Sequence, residues 1–446
     1  MIDPKVQKYL RGRTASEISE GLEEAIRVGA LRPAAKLPTV RGLAERLNVS
    51  PTTVAAAYRT LAHRGVVVAD GRRGTRVSFA PPVPVSASAP LSDEIRDLAA
   101  GNPDPELLPR LAPALARLAA CDTAPPLYGD ATHSERLLEL AEARLHGDGL
   151  RTDALSIVSG ALDGIERVLQ AQLRPGDRVA VEDPGFGGVL HLVRALGLTL
   201  VPMAVDDEGP LPGAVEAALD QGAAALIVTP RAQNPTGAAL TPARVRAIRR
   251  VLKPHADCLL IEDDHAGEVA GAPAQTLVTR DTERFAVVRS VSKALGPDLR
   301  TAILAGDPQT VARVEGRQLL GLRWVSHVLQ ELVVDLWSDR KTARQLTRAE
   351  KTYTARRDAL VEALAAREVP ASGRSGMNVW IPVAEEAAVV QGLHARGWAV
   401  AAGERFRLQS APGVRVTIAT LAPEEAPRLA DDIAAVLQPG ASARLA

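Results

Sequence analysis

A chain of 446 residues, 46% hydrophobic and with mean hydropathy near zero, can bury more than one core, so two or three domains are expected. Its zero net charge conceals a split: residues 1 to 80 carry 14 Lys+Arg against 7 Asp+Glu and the remainder 39 against 46, which points to nucleic-acid contact by the basic front alone. No run approaches the roughly 20 apolar residues of a membrane span, Met1-Ile2-Asp3-Pro4-Lys5 opens no signal peptide, and Cys121 and Cys258 match no zinc or disulfide spacing, so a cytoplasmic protein without metal is expected.

From Thr14 to Val28, apolar residues recur at Ala15, Ile18, Leu22, Ala25 and Ile26, close to the helical period. Leu37 to Leu47 reads as a short second helix, broken at Asn48-Val49-Ser50. Ser50 is placed to cap a third helix and Pro51 to occupy its first position, where no amide donor is needed, so a helix over 51–64 is expected. Thr52, Thr53 and Arg59 then point outward near an exposed amino end that suits a phosphate or a base edge. Val66-Val67-Val68 and Thr75-Arg76-Val77-Ser78, joined through Asp70-Gly71-Arg72-Arg73-Gly74, predict a hairpin with a basic tip. Three helices and such a hairpin make a winged helix-turn-helix; a helical cap with a solvated hairpin is the plainer alternative.

Leu37-Pro38 through Arg41, Val49-Ser50-Pro51-Thr52-Thr53-Val54, Ala57-Tyr58 and Gly74-Thr75 resemble the DNA-binding domain of GntR-type bacterial regulators. The resemblance implies that Arg41, Ser50, Thr52, Thr53, Arg72 and Arg73 touch double-stranded operator DNA. Pro51 departs from the pattern, which usually has a basic or polar residue there.

The front domain is taken as 1–78. Residues 79–96, rich in Pro, Ser and Ala, read as a semi-extended linker. From 97 to 446, strands and helices alternate to about 310, which predicts an α/β domain with a mostly parallel sheet, its large part running to about 320. A long helical stretch follows, then a smaller α/β part over about 355–446.

Ligands of such sheets collect after the carboxyl ends of strands, and four loops lie there. Ser159-Gly160-Ala161-Leu162 opens a helix whose amides are free for a phosphate, although ordinary strand-to-helix turns look the same. Phe186, after Pro184-Gly185, suits stacking on a flat ring or core packing. Asn234, in Asn234-Pro235-Thr236-Gly237, is a hydrogen-bond donor or a turn residue. Glu262-Asp263-Asp264 ends an apolar strand, where three carboxylates are costly unless one meets a cation. A protonated pyridine nitrogen would serve; a metal pair lacks a second ligand group at suitable spacing.

Lys293 follows the apolar run Phe285-Ala286-Val287-Val288. An amine there can form a Schiff base with an aldehyde cofactor if its pKa is lowered, and Ser290, Ser292 and Arg300 supply groups for a phosphate. The chain has seven lysines against 46 arginines. In the large domain Lys253, Lys341 and Lys351 fit solvated positions, which leaves Lys293 as the candidate nucleophile, a surface lysine on a turn being the plainer reading. Arg415, inside the apolar run Val414 to Ile418, needs an anionic partner if buried, in a structural salt bridge or a ligand.

These loops, in this order, resemble the pyridoxal-phosphate aminotransferases of fold type I. The resemblance implies that Lys293 holds the cofactor covalently, Asp263 pairs with its ring nitrogen, Asn234 binds its ring hydroxyl and Phe186 stacks on the ring. It implies that Ser290, Arg300 and the amides near Ala161 and Leu162 hold the phosphate, and that Arg415 binds a substrate carboxylate. Tyr128 matches a position that reaches the phosphate of the partner subunit, which implies a homodimer; a buried tyrosine is the alternative. His265 stands where the family generally has tyrosine.

A GntR-type winged helix, a linker and an aminotransferase-like domain together resemble the MocR-type regulators across nearly the whole chain. The expected function is transcriptional regulation in response to pyridoxal phosphate or an amino compound. An aminotransferase of an α-amino acid with a secondary DNA-binding domain is the competing reading.

Overall fold

The computed structural model describes Tyr9 and residues 12–63, 66–69, 74–78, 92, 94–121 and 126–437. Arg72, Arg73 and most of the segment 79–96 lie outside the described residues. The chain divides into two compact units, one centred on residues 1–88 and one holding nearly all the rest.

In the first unit, helix α1 (Ala15–Arg27) opens on a capping box, the Thr14 hydroxyl accepting from the Glu17 amide and the Glu17 carboxylate from the Thr14 amide. Helix α2 (Val40–Leu47) starts later than the apolar pattern suggested. Thr39 caps it at the Gly42 amide (3.1 Å), while Leu37 is extended and donates its amide to Thr75 (2.8 Å). Helix α3 (Pro51–His63) begins as expected, with Ser50 Oγ accepting from the Thr53 amide at 3.1 Å. Ile18, Leu22, Leu43, Val54, Ala57 and Leu61 close a core among the three helices. Strands β1 (Val67–Ala69) and β2 (Thr75–Val77) pair antiparallel. A third rung, which no residue pattern signals, is formed by residues 34–37 running beside β2, with Lys36 bridged to Arg76.

Ser50 also bonds the hydroxyls of Thr52 (2.6 Å) and Thr53 (2.8 Å), so one oxygen organises the start of α3. Ser50→Ala is expected to cost this unit about 1 kcal/mol, read as a lower urea midpoint, and Ser50→Asp to restore it because a carboxylate also caps.

The second unit is built on an eight-stranded sheet: β4 (Ala154–Val158), β5 (Arg178–Asp183), β6 (Thr199–Asp206), β7 (Gly209–Pro210), β8 (Ala223–Val228), β9 (Leu259–Asp264), β10 (Phe285–Ser290) and β11 (Ala302–Gly306). Their spatial order is β4-β11-β10-β9-β8-β5-β6-β7. β5, β8, β9 and β10 are mutually parallel, and β11 is inserted antiparallel between β10 and β4. β9 and β10 are buried along their whole length, as strands covered on both faces must be, so their apolar runs carry no alternation.

The smaller part packs β12 (Asn378–Pro382), β14 (Ala401–Ala402) and β15 (Gly413–Thr417) into an antiparallel sheet in the order β12-β15-β14. It also takes in a piece assigned above to the linker and the large part. Strand β3 (Arg96–Asp97) pairs parallel with β13 (Trp398–Ala399), and Arg96 is held by Glu425 (2.9 Å) and the Thr420 carbonyl (2.7 Å). Among the described residues no helix is long and apolar enough to cross a membrane.

Candidate functional site

The carboxyl ends of β5, β8, β9 and β10 deliver their loops to one cavity of about 300 Å³. Phe186, Asn234, Asp263, His265, Ser290 and Lys293 all line it. So do Ala161, Leu162, Arg300 and Arg415, so the loops singled out in the sequence converge although about 250 residues separate their ends.

Strand β9 shows how three adjacent carboxylates coexist. Alternation sends Glu262 and Asp264 to the face opposite Asp263. Glu262 accepts from Thr276 Oγ1 (2.8 Å) and the Leu277 amide (2.5 Å), and burial pushes its pKa up to about 7. Burial also acts on Asp264, yet Arg231 (2.9 Å) and Arg289 (2.8 Å) outweigh it and hold the pKa at about 2. Among the described residues Asp263 has no such cation. Burial, then the charges of Asp264 and Glu182, raise its pKa to about 7, and its Oδ1 is buried without a hydrogen-bond partner among the described residues.

Lys293 sits in a short helix (Ser292–Leu295) just beyond β10 and donates from Nζ to the Gly101 carbonyl at 2.6 Å. Burial, and secondarily the charge of Arg415, hold its pKa at about 8. Its neighbour His265 is kept neutral, its pKa pulled to about 4 by burial and by Lys293. Arg415 donates to Asn234 Oδ1 (3.0 Å) and the Ala99 carbonyl (2.5 Å) and lies 4.8 Å over the Phe406 ring. Burial, then Arg405, bring its pKa down to about 10. Accepting through Oδ1 leaves the Asn234 amide as a donor.

The helix Ala161–Gln172 starts at Gly160 with no side chain capping it. Arg300 reaches the Ser159 carbonyl (2.9 Å) beside that end, and Gly160 is required there: its φ is +97° and a Cβ would stand 2.7 Å from Arg300 Nη2. Ser290 and Ser292 hydroxyls, 3.1 Å apart, complete a cluster of donors suited to a phosphate. Uncapped amides, a guanidinium, two hydroxyls, an amine of lowered pKa and an orphaned buried carboxylate are the donor set pyridoxal phosphate needs.

The loop after β5 is also bolted to the smaller part. Asp183 accepts from the amides of Leu408 (2.8 Å), Gln409 (2.7 Å) and Ser410 (3.0 Å) and from Ser410 Oγ (2.8 Å).

Tyr128 is not brought to this cavity. It is 79% exposed, edge-on to Trp324 (5.6 Å between centroids) and beneath Arg323, so it is not a core tyrosine. Sequence reasoning passed over Ala100, Gly101, Asn102 and Asn378, which also line the cavity. Gly101-Asn102-Pro103 carries a turn signal, but nothing local ties it to Lys293. Among the described residues no group of three or more His, Cys, Asp or Glu could hold a metal.

Residues 93–433 match the family of class I and II aminotransferases, and residues 14–77 the gntR family of bacterial regulatory proteins. The vitamin B6 salvage pathway transcriptional repressor PtsJ of Salmonella typhimurium is 41% identical over 426 residues, covering 95% of this chain and 98% of that protein. The chain is a MocR-type transcriptional regulator. The regulator is also 26% identical over 362 residues to the pyridoxine biosynthesis transcriptional regulator PdxR of Corynebacterium glutamicum, covering 78% of each chain. A kynurenine aminotransferase of Pyrococcus horikoshii shares its fold, with a TM-score of 0.70 at 22% identity over 78% of the regulator and 92% of that chain. The cofactor of this domain is pyridoxal 5′-phosphate. Similarity that runs through the front domain as well favours regulation over an amino-acid transaminase with an accessory front.

Proposed function

We propose that the regulator is a repressor of vitamin B6 genes whose signal is pyridoxal 5′-phosphate itself, held on Lys293. The observation that carries this is the pairing, in one cavity, of the Lys293 amine with the lone buried oxygen of Asp263. Full-length similarity to a vitamin B6 salvage repressor supplies the pathway. When bound, pyridoxal phosphate supplies an aldehyde carbon and an electron-withdrawing ring. The protein's own part is binding and orientation. Asp263 holds a proton at the ring nitrogen, and the Asn234 amide donates to the ring hydroxyl beside the neutral imidazole of His265. Phe186 covers the ring, while Ser290, Arg300 and the Ala161 and Leu162 amides grip the phosphate. Arg415 takes the carboxylate of any amino compound that follows.

In the front domain, taken as residues 1–78, Arg41, Ser50, Thr52 and Thr53 contact operator DNA, Ser50 doing so while it caps α3. Arg72 and Arg73, which lie outside the described residues, contact DNA as well. The active form is a homodimer in the cytoplasm, and the exposed Tyr128 reaches the partner's phosphate site.

The test is a titration of cofactor-stripped protein with pyridoxal phosphate, followed by visible absorption and by binding to DNA that the protein has itself selected from a random pool. A visible band that rises with a roughly tenfold change in DNA affinity is expected. Keto-acid release from amino acids at about one turnover per second or faster, with DNA affinity unchanged, would instead establish the transaminase.

A further inference from the structure

Ala99 and Gly101 hold the two side chains on which a ligand of this cavity depends. The Gly101 carbonyl accepts from Lys293 Nζ at 2.6 Å, and the Ala99 carbonyl from Arg415 Nη2 at 2.5 Å. The segment is shaped for this. Asp97 Oδ1 accepts from the amides of Ala99 (2.8 Å) and Ala100 (3.1 Å), folding a turn that presents both carbonyls to the cavity. Gly101 has φ +70°, and a Cβ there would stand 3.0 Å from Arg415 Nη2. Just upstream, the chain is fixed to the smaller part: Arg96 donates to the Gly397 carbonyl (2.9 Å), Leu98 to that of Ala399 (2.9 Å), and Thr417 to that of Leu98 (2.8 Å). In sequence, the stretch that joins the DNA-binding domain to this unit runs directly into Arg96.

We propose that residues 97–102 form a latch, held by Lys293 and Arg415 and opened by the ligand that claims them, which passes the state of the cavity to the linker of the DNA-binding domain. The inference rests on the reading that pyridoxal phosphate binds Lys293. When the amine condenses with an aldehyde, a C=N bond forms as the C=O bond breaks, and both amine hydrogens leave with the oxygen as one water. The nitrogen then carries at most one hydrogen, taken up from solvent, where the ammonium had three; the oxygen of the ligand's ring hydroxyl claims that one, and the bond to Gly101 loses its donor. At Arg415 the buried Nε has no hydrogen-bond partner among the described residues. A ligand carboxylate that takes the Nε edge in bidentate fashion is a stronger acceptor than the neutral carbonyl of Ala99, so a second tie gives way. Loss of the Lys293 tie is enough for residues 96–98 to follow the smaller part rather than the large sheet, and the end of the linker moves with them; the Arg415 tie yields only to a further ligand that carries a carboxylate.

The experiment is hydrogen exchange of the peptide spanning residues 94–105, read by mass spectrometry, on the full chain stripped of cofactor and then loaded with pyridoxal phosphate. Loading is verified by its visible band. About tenfold faster exchange at the Ala99 and Ala100 amides on loading is expected, with no change in Lys293→Ala treated alike. Asp97→Ala, which removes the turn and also a carboxylate whose charge Arg415 feels, is expected to bind selected DNA, stripped or loaded, as the loaded native protein does. Asp97→Asn keeps the acceptor oxygen and is expected to restore the response. A native protein that shows the band and the DNA response while residues 94–105 exchange at one rate would overturn the latch and leave the cofactor reading intact. The latch is equally overturned, with the cofactor reading untouched, if Asp97→Ala retains the full ligand-dependent change in DNA affinity. No band at all overturns the reading and the latch with it.

Discussion

Lys293→Ala protein, incubated with excess pyridoxal phosphate and desalted, is expected to show no visible band and to bind DNA with a single affinity whatever its exposure to cofactor. The reason is the scarcity of competing amines. Lys253, Lys341 and Lys351 are the other lysines of this unit, and all three are exposed to water. Burial brings the pKa of Lys293 down to about 8. At neutral pH roughly one-tenth of its amine is then the free nucleophile, against fewer than about one in a thousand for an ordinary lysine. Attachment by the native protein should accelerate as pH rises toward 8 and level off above it. Borohydride reduction followed by peptide mass mapping reads the site directly, and a retained adduct elsewhere in the variant would refute the assignment.

Asp263→Asn is expected to act in opposite directions on two properties. Cofactor affinity should fall by about 100-fold or more, because losing one member of a buried charge pair costs about 3–5 kcal/mol. The stripped protein, in contrast, should gain stability at pH 8. In the fold the carboxyl titrates near 7, well above its unfolded value of 3.8. The folded state therefore binds more protons than the unfolded chain between about pH 4 and 7, and native stability declines as pH rises through that window. Glu182 and Glu262, both pushed to about 7 by burial, tilt the curve the same way. Thermal melts of the stripped proteins at pH 5 and pH 8 should show a smaller drop for the variant, by ~1–3 kcal/mol. Equal drops would mean that Asp263 is not the strained carboxylate of the cavity.

Much of this was legible in the residues because each signal is local. Ser50-Pro51 declares a helix start, an apolar run ending in Glu262-Asp263-Asp264 declares a strand that finishes in a polar place, and the poverty of lysine isolates Lys293. What stayed hidden depends on contacts distant in sequence. Nothing near Asp263 shows that Arg231 and Arg289 neutralise its neighbour and leave it alone. Nothing near Gly101 shows that its carbonyl meets an amine 192 residues later. The short pairing of Arg96–Asp97 with Trp398–Ala399 is two residues long, below the length at which a strand pattern can be read.

The grip of Asp183 on residues 408–410 relies on three backbone amides and one hydroxyl. Every residue except proline offers a backbone amide, so the identity of Leu408 and Gln409 is nearly irrelevant to the joint. The joint therefore preserves the path of the stretch from Glu404 to Gln409 without a demand of its own on the side chains there, although Phe406 packs on Trp380 and Arg407 pairs with Glu386. The stretch contains Arg405, whose charge Arg415 feels, and Phe406, on which Arg415 rests. Relatives built on this frame could exchange those two residues and so accept a differently charged or differently shaped effector, without surrendering the architecture that reports its arrival.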